Sequence, residues 1–277
     1  MATTDFKVDL LKLYFGDPYP ITDKIIINQP SLQDIINYGE EEFFAVMYIF
    51  IGNTTYRKLF LWENGIDWNK MSNYELFCNL VRALPEDKTN IILPGINFEN
   101  FVLYKTNYDE SQDELPAEEK IKLTRMDKLK RQFEKFEKSY TLYDKERGIE
   151  LSADVYHKMV AVLRQMLRIF PKDEYAFGKE TKQLLIDEAK EKLKKAEREE
   201  AENNTSTLLP LISACVNHPG FKYRKDELRN VQIYEFMDSV GRLQLYESTH
   251  ALLGGMYSGF CDTSKIPNDK FDFMRPI

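Results

Sequence analysis

Residues 251–262 bring together the side chains and glycines best placed to do chemistry. The stretch reads ALLGGMYSGFCD and combines three glycines with Ser258 and Cys261. Glycine-rich loops bind phosphate when they precede a helix, because the free N–H groups of the helix N-terminus point at the anion. Here the glycines follow a helical pattern, and Ser258 lies in YSGF rather than in the GxSxG turn of a serine hydrolase. The order of these residues predicts a helix end, with Gly259 as its terminator.

The remaining reactive side chains form no recognisable catalytic or metal-binding pattern. The histidines and cysteines are His157, His218, His250, Cys78, Cys215 and Cys261. No two histidines stand at metal-ligand spacing and no CxxC pair occurs, so we expect buried free thiols. The sequence predicts no catalytic, metal-binding or cofactor-binding residue. An enzyme whose site is assembled from distant residues, such as His250 with Cys261, stays open as an alternative.

The overall charge argues against a protein that coats nucleic acid. The chain of 277 residues has a net charge of −7 and a pI of about 5.3, whereas nucleic-acid-binding domains often have a pI above ~9. The basic run at 120–138 could still bind nucleic acid locally, and this stays open as an alternative. Its interleaved acids and its apolar residues at helical spacing favour an amphipathic helix with a solvated outer face.

The sequence contains no segment typical of a membrane anchor. The N-terminal residues MATTDFKVDLLKLYFGD lack the basic start and apolar core of a signal peptide. The most apolar stretch, FFAVMYIFIG at 43–52, is roughly half the length that spans a bilayer. We therefore expect a soluble cytoplasmic protein.

Hydrophobic periodicity predicts an α+β fold, with an N-terminal α+β domain of short β-hairpins packed on helices and a mainly α-helical C-terminal domain. In the N-terminal part, strands are predicted within 8–28 and 90–106, and helices over 31–51, 54–63 and 72–84. In the C-terminal part, an extended stretch precedes predicted helices over 153–170, 179–202, 206–220 and 230–258. We place an α+β domain at 1–107, a charged linker with an amphipathic helix at 108–140, and the helical domain at 141–277.

A narrow apolar stripe runs along the highly charged helix predicted over 179–202. Such a stripe can seat a partner helix, or it can lie on the chain's own domain, and the pattern is compatible with both. Tyrosine and arginine side chains on the predicted C-terminal helix are the other candidates for a binding surface. The predicted partner-binding residues are Leu185, Ala189, Leu193, Ala196, Tyr234, Arg242 and Tyr246.

Several stretches resemble tail-module proteins of long-tailed phages of Gram-positive bacteria. They read LKLYFGDPYPITDKIIINQPSLQDIINYGEEEFF, GIDWNKMSNYELF, STLLPLISACVNHPGFKY and IYEFMDSVGRLQLYESTHALLGGMYSGFCDTSKI, followed by FDFMRPI. The resemblance covers most of the chain apart from 108–140 and 185–203.

The resemblance implies a non-enzymatic role in tail morphogenesis, in the host cytoplasm or in the virion. A tail assembly chaperone would bind tape-measure or tail-tube subunits and leave before the particle is complete. A minor structural protein of the tail or connector would stay in the virion. Either role implies other phage tail proteins as partners, with self-association as a further possibility, and no cofactor. A chaperone of this kind would offer an apolar groove in an acidic body to a helical partner.

Overall fold

The structure, a computed structural model, describes residues 6–109, 122–202, 206–259, 262 and 264–277. The described residues combine many helices with a two-stranded and a three-stranded antiparallel sheet. Short strands and helices alternate in the N-terminal part, and the C-terminal part is mainly helical. The predicted α+β class is therefore confirmed.

The N-terminal part contains six helices and three strands in its described residues. They are α1 (Leu10–Tyr14), β1 (Tyr19–Pro20), β2 (Ile26–Ile27), α2 (Leu32–Tyr38), α3 (Glu40–Ile51), α4 (Lys58–Glu63), α5 (Asn73–Val81), α6 (Glu86–Thr89) and β3 (Phe101–Lys105). Strands β1 and β2 pair with each other, and Tyr19 faces Ile27 across this small sheet.

The C-terminal part begins with the amphipathic helix α7 and a hairpin. Its elements are α7 (Arg125–Ser139), β4 (Tyr140–Asp144), β5 (Ile149–Leu151), α8 (Ala153–Leu167), α9 (Lys179–Glu202), α10 (Leu208–Val216) and α11 (Ile233–Tyr257). The helices predicted within 120–138, 153–170, 179–202, 206–220 and 230–258 are thus confirmed in the described residues. Among these residues, no helix combines the length and the apolar character needed to cross a membrane.

Local capping signals set several helix boundaries where the sequence predicts them. The Ser31 side chain accepts a hydrogen bond from the Asp34 N–H, and the Asp34 carboxylate accepts one from the Ser31 N–H, which forms a capping box. Gly39, at a φ of 101°, separates α2 from α3. Thr124 and Asp127 form a second capping box at the start of α7.

The first predicted strand is wrong, because residues 10–14 form a helix. The Asp9 carboxylate accepts hydrogen bonds from the N–H groups of Leu11, at 3.1 Å, and Lys12, at 3.3 Å, and so caps α1. Leu13 is the one buried residue of this helix. The run VDLLKLYF suits a short helix as well as a strand, and a side-chain cap decides for the helix. Within 90–106, residues 91–93 lie in turns, and the strand begins only at Phe101.

One sheet and one hydrophobic core include residues from both sides of the charged segment 108–140. Strand β4 lies between β3 and β5, with Leu103 and Leu151 both opposite Leu142. In the core, the rings of Phe77 and Tyr156 lie 4.7 Å apart. The domain boundaries at 107 and 141 stay a prediction, and they fall within this shared packing.

A smaller hydrophobic cluster holds the first turns of α9 against α4. Ile186 is fully buried and packs in a cluster with Leu61 and Trp68. Lys182 pairs with Asp67 beside them. From residue 190 to residue 199 every side chain is exposed, so this part of α9 leaves the body of the protein.

Candidate functional site

One candidate binding site is an open cleft of about 680 Å³, here called the C-terminal cleft. Its walls come from α1, from the loop after α10, from α11 and from the C-terminal tail, defined as residues 264–277. Three aromatic side chains from distant parts of the chain line the cleft: Tyr14 from α1, Tyr246 from α11 and Phe273 from the tail. A second cleft of about 340 Å³ shares Tyr14, Asp238 and Arg242 with the first, so the two clefts adjoin each other.

Arginine side chains fasten the tail that forms one wall of the C-terminal cleft. The guanidinium of Arg242 donates hydrogen bonds to the carbonyl oxygens of Phe273, at 3.2 Å, and Arg275, at 2.9 Å. Arg168, at the end of α8, donates to the carbonyl oxygen of Ile277 at 3.0 Å and pairs with Asp238 at 2.8 Å. These contacts hold the tail along α11, because planar guanidinium groups can donate to several acceptors at once.

The tail can lie close to α11 because a glycine faces it. A Cβ atom at Gly241 would lie 3.2 Å from Cγ2 of Ile277, which is tighter than ordinary van der Waals contact. The absence of a side chain at this position therefore lets the last residue of the tail approach the helix.

The aromatic walls of the C-terminal cleft contact one another and a lysine. The Tyr246 ring meets the Phe273 ring edge-on at 5.8 Å and lies 4.0 Å from the His250 ring. The Lys222 ammonium lies 4.6 Å from the centre of the Tyr223 ring. The hydrogen bond with the neighbouring Tyr223 side chain raises the pKa of Lys222. The cleft thus combines apolar walls with a lysine at its edge.

Most other charges around the cleft are paired within the chain. His218 lies 3.0 Å from the Glu247 carboxylate, and the Lys222 ammonium lies 3.4 Å from Glu235. Arg168 is paired with Asp238, and Arg242 donates its hydrogen bonds to main-chain carbonyl oxygens of the tail, so these donors are occupied within the chain. Shape and apolar contact therefore dominate what this site can bind.

Exposed apolar side chains extend the cleft onto the neighbouring surface. Helix α1 buries Leu13 but leaves Leu11 at 67% exposure and Phe15 at 72%. Met274 in the tail lines the cleft and is 72% exposed. Contiguous exposed apolar surface of this kind marks sites of protein or ligand interaction.

The structure divides the seven predicted partner-binding residues into two groups. Arg242 and Tyr246 line the C-terminal cleft, and the mostly buried Tyr234 lines the adjoining smaller cleft. The other four, Leu185, Ala189, Leu193 and Ala196, follow one another along α9. Their role in binding stays a prediction.

On α9, exposure increases along the predicted stripe. Leu185 packs partly buried against the small cluster and Ala189 is half-buried, while Leu193 and Ala196 are exposed. The first residues of the stripe therefore pack on the chain's own body, and the later residues are exposed to solvent. Ile186, which the sequence reasoning missed, is the residue that anchors the helix. Its spacing of three residues before Ala189 is a signal that could have revealed it.

The two cysteines in the described part of the chain are buried. Burial raises the pKa of the Cys78 thiol to about 12, and burial also raises the pKa of Cys215. Thiols with raised pKa values are poor nucleophiles. His157 pairs with Glu137 at 3.3 Å. The alternative pair of His250 with Cys261 involves a residue outside the described part of the chain.

The glycine-rich stretch that raised the question of phosphate binding is a helix end. Gly259 has a φ of 72° and its N–H donates to the Met256 carbonyl oxygen at 3.2 Å, directly after the last turn of α11. The predicted terminator is therefore confirmed. Across the described ranges, no group of three His, Cys, Asp or Glu side chains is placed to hold a metal ion.

No family model, curated protein or solved structure matches this chain.

Proposed function

We propose that the chain is a non-enzymatic phage tail morphogenesis protein that acts as an assembly chaperone. Its C-terminal cleft would bind an apolar helical segment of the tape-measure protein. The observation that carries this proposal is the continuity of the aromatic cleft with the exposed apolar side chains of α1 and the tail. The phage setting comes from the resemblance of 11–44, 65–77, 206–223, 233–266 and 271–277 to tail-module proteins.

The shape and chemistry of the groove suit an amphipathic helix. Such helices bind by laying an apolar face into a hydrophobic groove, with anchor residues one turn apart. Tyr14, Tyr246 and Phe273 supply large, rigid contact surfaces, and aromatic residues of this kind dominate binding energy at interfaces. Lys222 and Arg242 provide polar groups at the edge.

The acidic character of the chain supports a chaperone role. A net charge of −7 helps to keep a protein soluble. A bound helix with exposed apolar residues would gain this solubility while its own apolar face is covered. The proposal requires no catalytic residue.

A binding assay with synthetic tape-measure helices tests the proposal. Labelled peptides that tile the tape-measure protein of the same phage would be titrated with the full chain and followed by fluorescence anisotropy. We expect Phe273→Ala to weaken the best peptide at least ~10-fold, which is the loss typical of an aromatic anchor.

Phe60→Ala is the matched control, because Phe60 is a similarly exposed phenylalanine on α4, outside the two clefts. It should leave the affinity unchanged. Equal affinities for the two variants, or no peptide that binds, would count against the cleft as the binding site.

A further inference from the structure

The outer half of α9 has an open apolar seam with the spacing of a coiled coil. Ile186, Ala189, Leu193 and Ala196 follow one another at intervals of three, four and three residues, as a and d positions do. Ile186 is buried on the chain's own body, whereas Leu193 is 49% exposed. The seam therefore continues past the body and is open to solvent there.

The charges beside this seam divide by sign along the helix. In the heptad that makes Ile186 and Leu193 a positions, Lys190 and Lys192 occupy e and g next to Leu193. One heptad further on, Glu197 and Glu199 occupy e and g next to Ala196. All four side chains are exposed. Residues at e and g determine the partner and the orientation in coiled coils, so these charges indicate which helix could pair with α9.

We propose that the outer half of α9 pairs with the same helix of a second copy of the chain, in antiparallel orientation. A two-fold axis between residues 194 and 195 would place Leu193 against the partner's Ala196. The same axis places Lys192 opposite the partner's Glu199 and Lys190 opposite the partner's Glu197. Each of these contacts occurs twice, so four flanking pairs are attractive. The helix is its own electrostatic complement.

Two further observations favour the antiparallel arrangement. Alanine at both d positions leaves room for two helices to approach closely. In a parallel pair both bodies would lie at the same end of the coil, beside Ile186, where the seam is already covered by the chain's own small cluster. An antiparallel pair places the two bodies at opposite ends. This proposal is independent of the C-terminal cleft and of any tail partner.

The interface is short, and this sets the expected strength of the dimer. Stable protein interfaces usually bury more than about 1,000 Å² in total, and the open seam is a single heptad with Leu193 and Ala196, so it buries less than this. We therefore expect a dimer that dissociates on dilution and weakens with added salt, because exposed ion pairs are screened.

Charge reversal in sedimentation equilibrium tests the pairing. The variant Lys190→Glu with Lys192→Glu makes all flanking contacts repulsive in a self-pair, and Glu197→Lys with Glu199→Lys does the same with the opposite sign. Each should dimerise at least ~16-fold more weakly than the parent, if each of the four pairs changes the affinity about twofold. An equimolar mixture of the two variants should regain the association.

A control variant distinguishes the effect of the charges beside the seam from the effect of a change in net charge. Lys194→Glu with Arg198→Glu changes the net charge by the same amount on the opposite face of α9, where both side chains are exposed. It should dimerise like the parent. All substituted side chains are exposed, so circular dichroism should show unchanged helix content.

Disulfide trapping tests the orientation. In a chain with Cys261→Ser, a Leu193→Cys variant mixed with an Ala196→Cys variant should form a mixed disulfide faster than either variant forms a disulfide with itself. A parent chain that stays monomeric at millimolar concentration would overturn the proposal. So would association that survives both charge reversals, or Leu193→Cys chains that couple fastest to themselves.

Discussion

Replacing Ile186 by alanine should release the first turns of α9 from the body of the protein. Ile186 is 0% exposed and packs in the small cluster with Leu61, Trp68 and Leu76. These residues come from α4, from the turn after it and from α5. The substitution therefore probes the contact that orients the entire projecting helix.

The size of the effect follows from the atoms removed. Isoleucine to alanine deletes three carbon groups, each worth ~0.8 kcal/mol of burial, and leaves a cavity that adds to this loss. We expect the free energy of unfolding to fall by about 3 kcal/mol, within the 2–5 kcal/mol range usual for such substitutions. Leu184→Ala is the control, since Leu184 is 59% exposed on the same helix and should change stability by no more than ~0.5 kcal/mol.

Tryptophan fluorescence in a urea titration is the natural assay. The chain has two tryptophans, and both Trp62 and Trp68 belong to this cluster. Ile186→Ala should therefore also change the emission of the folded protein, because water gains access to Trp68. A loss of stability no larger than that of Leu184→Ala, with an unchanged emission spectrum, would refute the assigned packing of α9.

Two further predictions concern pH and the helix end. Burial raises the pKa of Cys78 from 9.0 to about 12, so the folded chain keeps a proton that the unfolded chain releases as the pH rises above 9. The free energy of unfolding therefore keeps its full value below pH 9 and should decline by about 2 kcal/mol up to pH 10.5. Urea titrations at each pH should show a smaller decline for Cys78→Ala than for the parent chain. Parallel curves for the two proteins would show that the Cys78 thiol does not cause the decline. Gly259→Ala should destabilise by ~1 kcal/mol because of its positive φ, whereas Gly254→Ala, inside α11 with open space around it, should stabilise by up to ~1 kcal/mol. Thermal unfolding of the two variants checks the opposite signs, and equal shifts would contradict the helix end seen at Gly259.

The features that the sequence predicted well are those decided within a few residues. The capping box of Ser31 and Asp34 and the terminator Gly259 depend on side chains or dihedral angles next to the helix ends they define. The same local reading failed at residues 10–14, where alternating apolar residues suit a strand and the Asp9 cap produces a helix. A pattern of apolar residues alone does not decide between a short helix and a strand.

The C-terminal cleft was beyond prediction because its parts meet only through tertiary packing. Tyr14 lies near one end of the sequence and Phe273 near the other, and Arg242 joins the tail to α11 through main-chain carbonyl groups. Sequence periodicity indicated Arg242 and Tyr246 as surface candidates without indicating what they face. On α9, sequence periodicity likewise predicted the apolar stripe but not the role of Ile186. Which side of α9 packs against α4 is decided by the fold and not by the local sequence.

The proposed chaperone role is tested most directly by quantitative mass spectrometry of purified phage particles beside the infected-cell lysate. We predict that the chain is abundant in the lysate, where it should co-purify with the tape-measure protein, and is absent from the particles. A fixed number of copies in every particle would contradict the chaperone role and identify a structural component of the tail or connector.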